Sequence, residues 1–575
     1  MKDRVLRDIG AGTPLQNWSS INWKQVKKRV RNLRQRIYRA TQQEQWNRVR
    51  NLMKLMLRSY SNLLLSIRRN TQENRGKQTP GLDGQVVKTS EQRVALVKQM
   101  QAYTPWRVQP TKRVYIPKAK QKLRPLGIPC ITDRVAQTIV KNALEPSWEA
   151  RFEAHSYGFR PGRGCHDAIE QCFIRLRKGG DTWILDADLQ EAFDNLRHTS
   201  ILDAIGQVPG RGLIKQWLKA GYVEAEMFHR TTQGAPQGGS LSPLLLNIVL
   251  NGLGELLSRY ISVKVKQPSP NAKRQKPYQN KSLTYGYCRY ADDILITAKH
   301  KEDIEAIIPV LEQWLGEQGL KLHPDKTQIV HVQQGCHFLG FTIRHLGGKC
   351  LCVPQKEKVK AFIQGIRDWL KANIQAKPES IINHLNPLLR GWGNYYHGVS
   401  KRVYGYVDDQ IWKALWRWCR KRHPNKGAKW VARKYFKSHQ GRQWTFFTKT
   451  KNRRGQPKTL TLFKVTDLPI QRHIKVKGKA SPDDPSLHDY WQHRQTQSGK
   501  AYWDKGSKYY LVAKTQKWRC PICGDPLFNG EPLQSHHRIG IKDGGTDQAK
   551  NLVHLHQACH QHVHAGGKLV ESHEA

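Results

Sequence analysis

The spacing of apolar and polar positions divides the chain into stretches of different period. Between residues 24 and 69, Val26, Val30, Leu33 and Ile37 recur at helical spacing, and so do Val49, Leu52 and Met56, with Arg and Lys on the other faces. A 3.6-residue period predicts amphipathic helices. Residues 76–84 (GKQTPGLDG) break the pattern as a Gly/Pro loop. KRVYIPK and KLRPLGIP, within 112–129, predict two short strands around a turn. A helix is expected over 133–145, and an apolar strand over 182–188 ends in carboxylates. A helix over 242–257 follows a Gly-rich turn, and 283–298 predict a β-hairpin. Residues 355–421 read as mostly helical. Residues 262–282, polar and rich in Lys and Pro, read as a surface insertion, and 422–480 as basic and irregular. The tail from about residue 511 reads as a separate small domain, and no internal repeat is present.

Length changes this picture by requiring several cores: 575 residues predict three to five domains. A hydrophobic content of 38% with 18 Trp excludes global disorder. Charge adds a partner. Ninety-seven Lys+Arg against 45 Asp+Glu leave +52, which a polyanion would neutralise. Residues 1–60 carry 15 basic against 3 acidic residues, and 411–480 carry 21 against 1. Aromatics interleave with the second stretch (Trp412, Trp416, Trp418, Trp430, Tyr435, Phe436), which points to nucleic acid rather than a solvated basic face. The 11 Cys are odd in number and irregularly spaced, against a secreted disulfide scaffold. MKDRVLRDIG carries no signal-peptide pattern. The most apolar window, 243–257, is broken by Asn247, Asn251 and Glu255, so no membrane span and an intracellular location are expected.

Candidate chemistry begins at YADD, residues 290–293, between the strand-like runs TYGYCR and ILITA. Two adjacent carboxylates at a hairpin turn repel each other, and a divalent cation removes that cost. Nucleotidyl transfer needs two such cations, one at the attacking hydroxyl and one at the leaving pyrophosphate. A further carboxylate is expected from another strand, and DADLQEAFD supplies Asp188 at a strand end. Between these clusters lies GAPQGGSLSPLLLNIVL, residues 234–250. Gly238 and Gly239 let backbone approach a substrate. Ser240 or Ser242 would cap the following helix, and Gln237 offers both donor and acceptor. A lone Asp-Asp pair is ordinarily a solvated turn; two strand-end clusters flanking this element reverse that reading.

The ordered strings IPKAKQKLRPLGIP, SYGFRPGRGCHDAI, DADLQEAFDN, GAPQGGSLSPLLLN, YADD and FLGFTI resemble the successive motifs of bacterial and organellar group II intron-encoded reverse transcriptases. The resemblance implies that Asp188, Asp292 and Asp293 bind two catalytic Mg²⁺ ions, with Leu189 at the backbone-carbonyl metal position. It implies that Lys118 and Arg124 hold the incoming triphosphate, a role suited to an amine and a guanidinium fork. Phe193 matches the aromatic gate against a ribose 2′-OH, and Gln237 lies in the loop that contacts dNTP and template. Asp186 and Asp194 read as local structural or solvated carboxylates. LNPLLRGWGNYYHG, residues 385–398, resembles the maturase region of that family, although packing alone would explain Leu385, Leu388 and Leu389.

In the tail, Cys520-x2-Cys523 precedes His536-His537, Asn551 and His556-x2-Cys559-His560-x3-His564. Cys520, Cys523, His556 and Cys559 have the spacing of a closed tetrahedral zinc staple. His536, His560 and His564 could hold a second cation, with His537 activating water; His560 and His564 share a helix face. The order resembles the HNH nuclease motif, which implies His537 as general base, Asn551 as the residue that orients the metal loop, and Mg²⁺ or a similar divalent cation. Many members of that family have Cys where His556 stands. A finger that grips DNA without cutting is the competing reading; the vicinal His536-His537 pair exceeds what a finger needs.

The expected fold is α+β and multidomain: right-hand polymerase fingers and palm with an antiparallel palm sheet, a helical thumb, and a small ββα-metal domain. The expected boundaries are a basic N-terminal helical extension over 1–79, fingers and palm over 80–350, thumb over 351–421, a basic DNA-binding domain over 422–510 and the HNH domain over 511–575. The resemblance implies RNA-directed DNA polymerase, maturase and DNA endonuclease activities used in target-primed mobility, with intron RNA, target DNA and dNTPs as partners and a homodimer left open. It places the protein in a bacterial cytoplasm or an organelle. A splicing factor with decayed sites, or a reverse transcriptase of another lineage, are the alternatives.

Overall fold

The computed structural model describes residues 15–101, 107–117, 123–266, 278–398, 401–439, 441–451, 457–503 and 506–566. The N-terminal pattern forms helices Trp23–Gln42, Trp46–Arg58 and Tyr60–Arg68. Asn22 and Ser59 cap the first and third by accepting the backbone N–H of Gln25 and Asn62, which satisfies one of the orphan donors at each helix start. Their apolar stripes pack on helix Ile131–Glu149, with Ile37, Met53, Met56 and Ala143 buried together.

Strands β1 (Thr111–Pro117) and β2 (Leu123–Ile128) pair antiparallel. Strand β3 (Trp183–Asp188) follows, and then β4 (Tyr222–Glu224) and β5 (Met227–His229), which extend the β1–β2 sheet. Strands β6 (Ile261–Lys266) and β7 (Tyr278–Leu283) form a hairpin. Strands β8 (Gly286–Tyr290), β9 (Asp293–Ala298) and β10 (Gln328–His331) join β3 in a central antiparallel sheet of order β10-β3-β9-β8. Both faces of this sheet are covered. The two-residue period of a strand sends Leu185, Ile294 and Ile296 to the core shared with the N-terminal helices. It sends Ile184 and Leu295 to a second core.

That second core contains β11 (Cys336–Phe338), β12 (Phe341–Leu346), β13 (Lys349–Pro354) and helices Lys356–Ala372, Pro378–Tyr395 and Lys401–Arg422. Helix Ala428–Tyr435 and strands β14 (Phe436–His439), β15 (Arg442–Lys451) and β16 (Pro457–Thr461) pack on its outer side. The tail forms antiparallel β17 (Leu533–His537) and β18 (Leu552–His556), then helix Gln557–His564. Its core is continuous with the N-terminal helices, because Cys520, Cys523, Val553 and Cys559 cluster with Trp23, Val26 and Ile67.

Two expectations change. The helix expected over 242–257 divides into Ser242–Val249, which ends at Leu250, and Leu253–Ser258, which starts from Gly252 at a φ of +113°. The stretch 422–480 contains a three-stranded sheet rather than irregular chain alone. Its Lys and Arg density masks the alternation of RQWTFFTKTK, in which Phe446 is buried. Among the described residues, no helix is long and apolar enough to cross a membrane.

Candidate functional site

Strand register builds the first site. Asp188 stands directly opposite Asp293 in the β3–β9 ladder, and Tyr290 opposite Asp293 closes the β8–β9 turn that carries Asp292. Three carboxylates therefore meet at one end of the central sheet. Asp186, two residues back on the same face, pairs with Leu295. Burial, reinforced by the charges of Asp292 and Asp188, pushes the Asp293 carboxyl up to about 6. Burial and the charges of Asp293 and Asp188 push Asp186 up to about 7. Lys326 Nζ lies 3.2 Å from Asp188 Oδ2. Such convergent acids are costly alone and well suited to divalent cations.

The turn is held from behind. Ala291 has a left-handed φ of +58°. The fully buried Arg289 donates to Asn247 Oδ1 (2.9 Å) and to the Ala291 carbonyl (3.2 Å). Asn247 Nδ2 in turn donates to the Gly158 carbonyl at 2.8 Å. The chain at 155–157 lies alongside β8, with Arg289 N donating to His155 O and Tyr157 N donating to Arg289 O, both at 2.9 Å. A Cβ on Gly158 would sit 2.4 Å from Ala291 N, so glycine is required where this segment crosses the turn.

The Gly-rich loop packs between β2 and the segment that follows β3. Arg124 Nε donates to Gln237 Oε1 (2.8 Å), and Gln237 Nε2 donates to Asp194 Oδ2 (2.9 Å). Ala235 N donates to the carbonyl of the buried Phe193 at 2.7 Å. Gly234, at φ +87°, packs on Asp194 O, where a Cβ would approach within 2.7 Å. A cleft of about 360 Å³ opens here, lined by Arg113, Glu191, Asp194, Tyr222, Arg230 and Gln237. Arg124, Phe193 and Gln237 are thus brought together. Lys118 lies outside the described residues. Leu189 is buried and bridges to Leu322. Neither serine caps the following helix: Ser242 is its first residue and donates to Pro236 O, while Ser240 Oγ meets Thr138 Oγ1. Pro243 in the first turn starts the helix instead.

The tail presents two clusters. The ligand atoms of Cys520, Cys523, His556 and Cys559 lie within 4.8 Å of one another, and all four residues are buried. Three soft thiols and one imidazole fit a zinc site. His536 on β17 meets His560 and His564, one helical turn apart, also within 4.8 Å. Burial, and then His560 and His564, lower the His536 pKa, which favours the neutral ligand form. His537 Nε2 lies 3.3 Å from Asp547 Oδ1, and Lys508 pairs with the same carboxylate. Asn551 accepts from Ile539 N (2.9 Å) and donates to Ile539 O (2.9 Å) and Thr546 O (2.8 Å), which pins the connection from β17 to β18.

Of the two readings given for Asp194, the structure shows the local structural one: its carboxylate accepts from Gln237. Several other members of these sites were not singled out as functional in the sequence. Arg289, Gly158 and Asn247 support the turn, and Asp547 faces His537. The one local signal was Asn247 itself, a polar residue inside LLLNIVL. Nothing local marks Lys326 or Asp547.

Residues 116–343 match the family described as Reverse transcriptase (RNA-dependent DNA polymerase), and residues 18–100 match N-terminal domain of reverse transcriptase. Residues 359–436 match Group II intron, maturase-specific domain, and residues 520–566 match HNH endonuclease. The chain is 36% identical over 329 residues to Protein YkfC of Escherichia coli, covering 51% of this chain and 82% of that protein. It is 31% identical over 405 residues to Group II intron-encoded protein LtrA of Lactococcus lactis, covering 57% of this chain and 67% of that protein. It is 25% identical over 379 residues to an uncharacterized 91 kDa protein in the cob intron of Schizosaccharomyces pombe, covering 53% and 46% respectively. With reverse-transcriptase, maturase and HNH regions in one chain, this protein belongs to the group II intron-encoded reverse transcriptases that carry a C-terminal HNH endonuclease domain.

Proposed function

We propose that Asp188, Asp292 and Asp293 are the metal-binding carboxylates at which this protein copies RNA into DNA, in service of the mobility and splicing of its own intron. The observation that carries the assignment is the register of Asp188 against Asp293 beside the Asp292 turn. The central sheet serves as palm, β1, β2, β4 and β5 as fingers, and the helices over 351–421 as thumb, with the exposed basic side chains of the extension and the 422–510 region, not the buried Lys27 and Arg68, gripping RNA and DNA. Two Mg²⁺ ions would activate the primer 3′-OH and stabilise the leaving pyrophosphate. The chain's own part is placement. Arg124, with Lys118, grips the triphosphate; Gln237, braced by Asp194, positions the base or sugar; Phe193 crowds a 2′-OH; Leu189 offers its carbonyl.

In the tail, a structural zinc at Cys520, Cys523, His556 and Cys559 would supply folding free energy to a domain with little core of its own. His536, His560 and His564 would hold the nuclease cation, Mg²⁺ or another divalent ion, with His537 as general base and Asn551 holding a ββα-metal loop. The cut strand would then prime cDNA synthesis. Extension of a DNA primer on an RNA template in Mg²⁺, by wild type and by Asp292→Asn/Asp293→Asn, tests the polymerase assignment. The variant should make no product; extension at the wild-type rate would overturn it.

A further inference from the structure

The four-ligand cluster is not enclosed by its own domain. Arg68, at the end of the third N-terminal helix and 1% exposed, donates from Nη2 to Cys559 Sγ at 3.1 Å. Its Nε donates to Glu73 Oε1 at 2.8 Å, and its guanidinium lies 4.6 Å from the Trp23 ring centroid. Among the described residues its remaining nitrogen, Nη1, is buried without a partner. Around it, Lys27 Nζ pairs with Asp525 Oδ2 (2.7 Å) and Glu531 Oε1 (3.3 Å), two acids next to the cysteine knuckle. Trp23 Nε1 donates to His562 Nδ1 at 3.2 Å, on the helix that carries Cys559. The knuckle glycine, Gly524, comes so close to Lys24 that a Cβ would meet its side chain at 3.2 Å.

The charge arithmetic gives these contacts a direction. Three thiolates around one divalent cation carry a net charge of −1, in a site from which water is excluded. A buried guanidinium is costly unless paired. Each therefore lowers the cost of burying the other, and an N–H···S bond to a ligand thiolate also sets that ligand's orientation. The partner comes from a segment more than 450 residues upstream, in the reverse-transcriptase part of the chain.

We propose that Arg68, supported by Lys27 and Trp23, is an outer member of the zinc centre, so that metal retention and docking of the nuclease domain on the reverse-transcriptase body are a single coupled equilibrium. The proposal rests on the zinc reading of the four ligands. Linkage is reciprocal: weakening the dock loosens the metal, and withdrawing the metal releases the dock. The nuclease thereby keeps one fixed position on the polymerase while the metal is bound.

The test uses the full-length chain and zinc itself. Zinc per chain is measured, then its release to a colorimetric chelator is timed for wild type, Arg68→Gln and Lys27→Gln, with primer extension on a simple template as the folding control. Removal of such an outer-shell partner should speed release by about 10-fold or more, with extension retained. A second arm needs no variant. Protease cleavage between the polymerase and nuclease parts, near Ser507, should accelerate in step with zinc loss from the wild type, while the polymerase part stays intact. Wild-type release rates in both variants would overturn the proposal, as would a cleavage rate indifferent to zinc. A wild-type chain purified without zinc would overturn the zinc reading itself, a result distinct from zinc bound but uncoupled.

Discussion

Replacing Gly158 by alanine tests how the β8–β9 turn is held. The added Cβ would lie 2.4 Å from Ala291 N, 2.9 Å from the Tyr290 carbonyl carbon and 3.1 Å from Ala291 Cβ. Comfortable contact begins at about 3.5 Å, so the turn must retreat by about 1 Å. It cannot rotate away cheaply, because the atom met is backbone and the chain Gly158 O–Asn247–Arg289–Ala291 O ties the glycine and the turn together. A displacement of about 1 Å at reacting groups costs on the order of 100-fold in rate, which corresponds to about 2.7 kcal/mol of barrier. Overpacking of this kind also lowers stability by about 1–3 kcal/mol. Single-nucleotide primer extension should therefore show kcat falling by about two orders of magnitude. Gly164→Ala is the control. It lies in the same YGFRPGRG segment, a Cβ added there would meet nothing within 4 Å, and the variant should behave as wild type. A Gly158→Ala enzyme with wild-type kcat would refute the account of the turn.

Four further outcomes are expected. Burial and neighbouring acids hold Asp293 near 6 and Asp186 near 7, so protons compete with the cation as pH falls through that range, and the Mg²⁺ concentration for half-maximal extension should be higher at pH 6 than at pH 8. The same raised values mean that the metal-free folded chain binds more protons than the unfolded chain. Their contribution to stability is therefore fully present below about 3.8, falls as pH rises from there, and is gone above 6 to 7, and thermal melts without divalent cations should show that fall and its reversal by Mg²⁺. A Phe193→Ala enzyme should lose discrimination against ribonucleotides by about 10-fold or more, the scale of a steric contact in a packed pocket, read as the ratio of kcat/KM for dNTP and rNTP. Substituting His537→Ala should abolish strand cleavage and leave primer extension unchanged; loss of both would show that the two centres are not separable.

The candidate site residues of this chain are legible in one dimension. The β3 acids, YADD, Arg124, Gln237 and the Cys/His set are local strings whose residue types have few other uses in combination. Most helices followed from periodicity, since one buried face suffices to set a period, whereas the β14–β16 sheet did not, because its Lys and Arg mask the alternation. The register of Asp188 against Asp293 required the sheet, because strand pairing a hundred residues apart leaves no local mark. For the same reason Lys326 beside Asp188, Asp547 beside His537 and Gly158 against Ala291 came only from the tertiary structure. Such partners are chosen by packing, and a lone Lys, Asp or Gly has many uses. The clearest case is the tail. Cys520, Cys523, His556 and Cys559 announce a metal in sequence, but the arginine that faces the cluster is Arg68. The chain alone marked four residues with the spacing of a metal site; the fold decided that this cluster is buried against the N-terminal helices, where Arg68, from a distant segment, donates to Cys559.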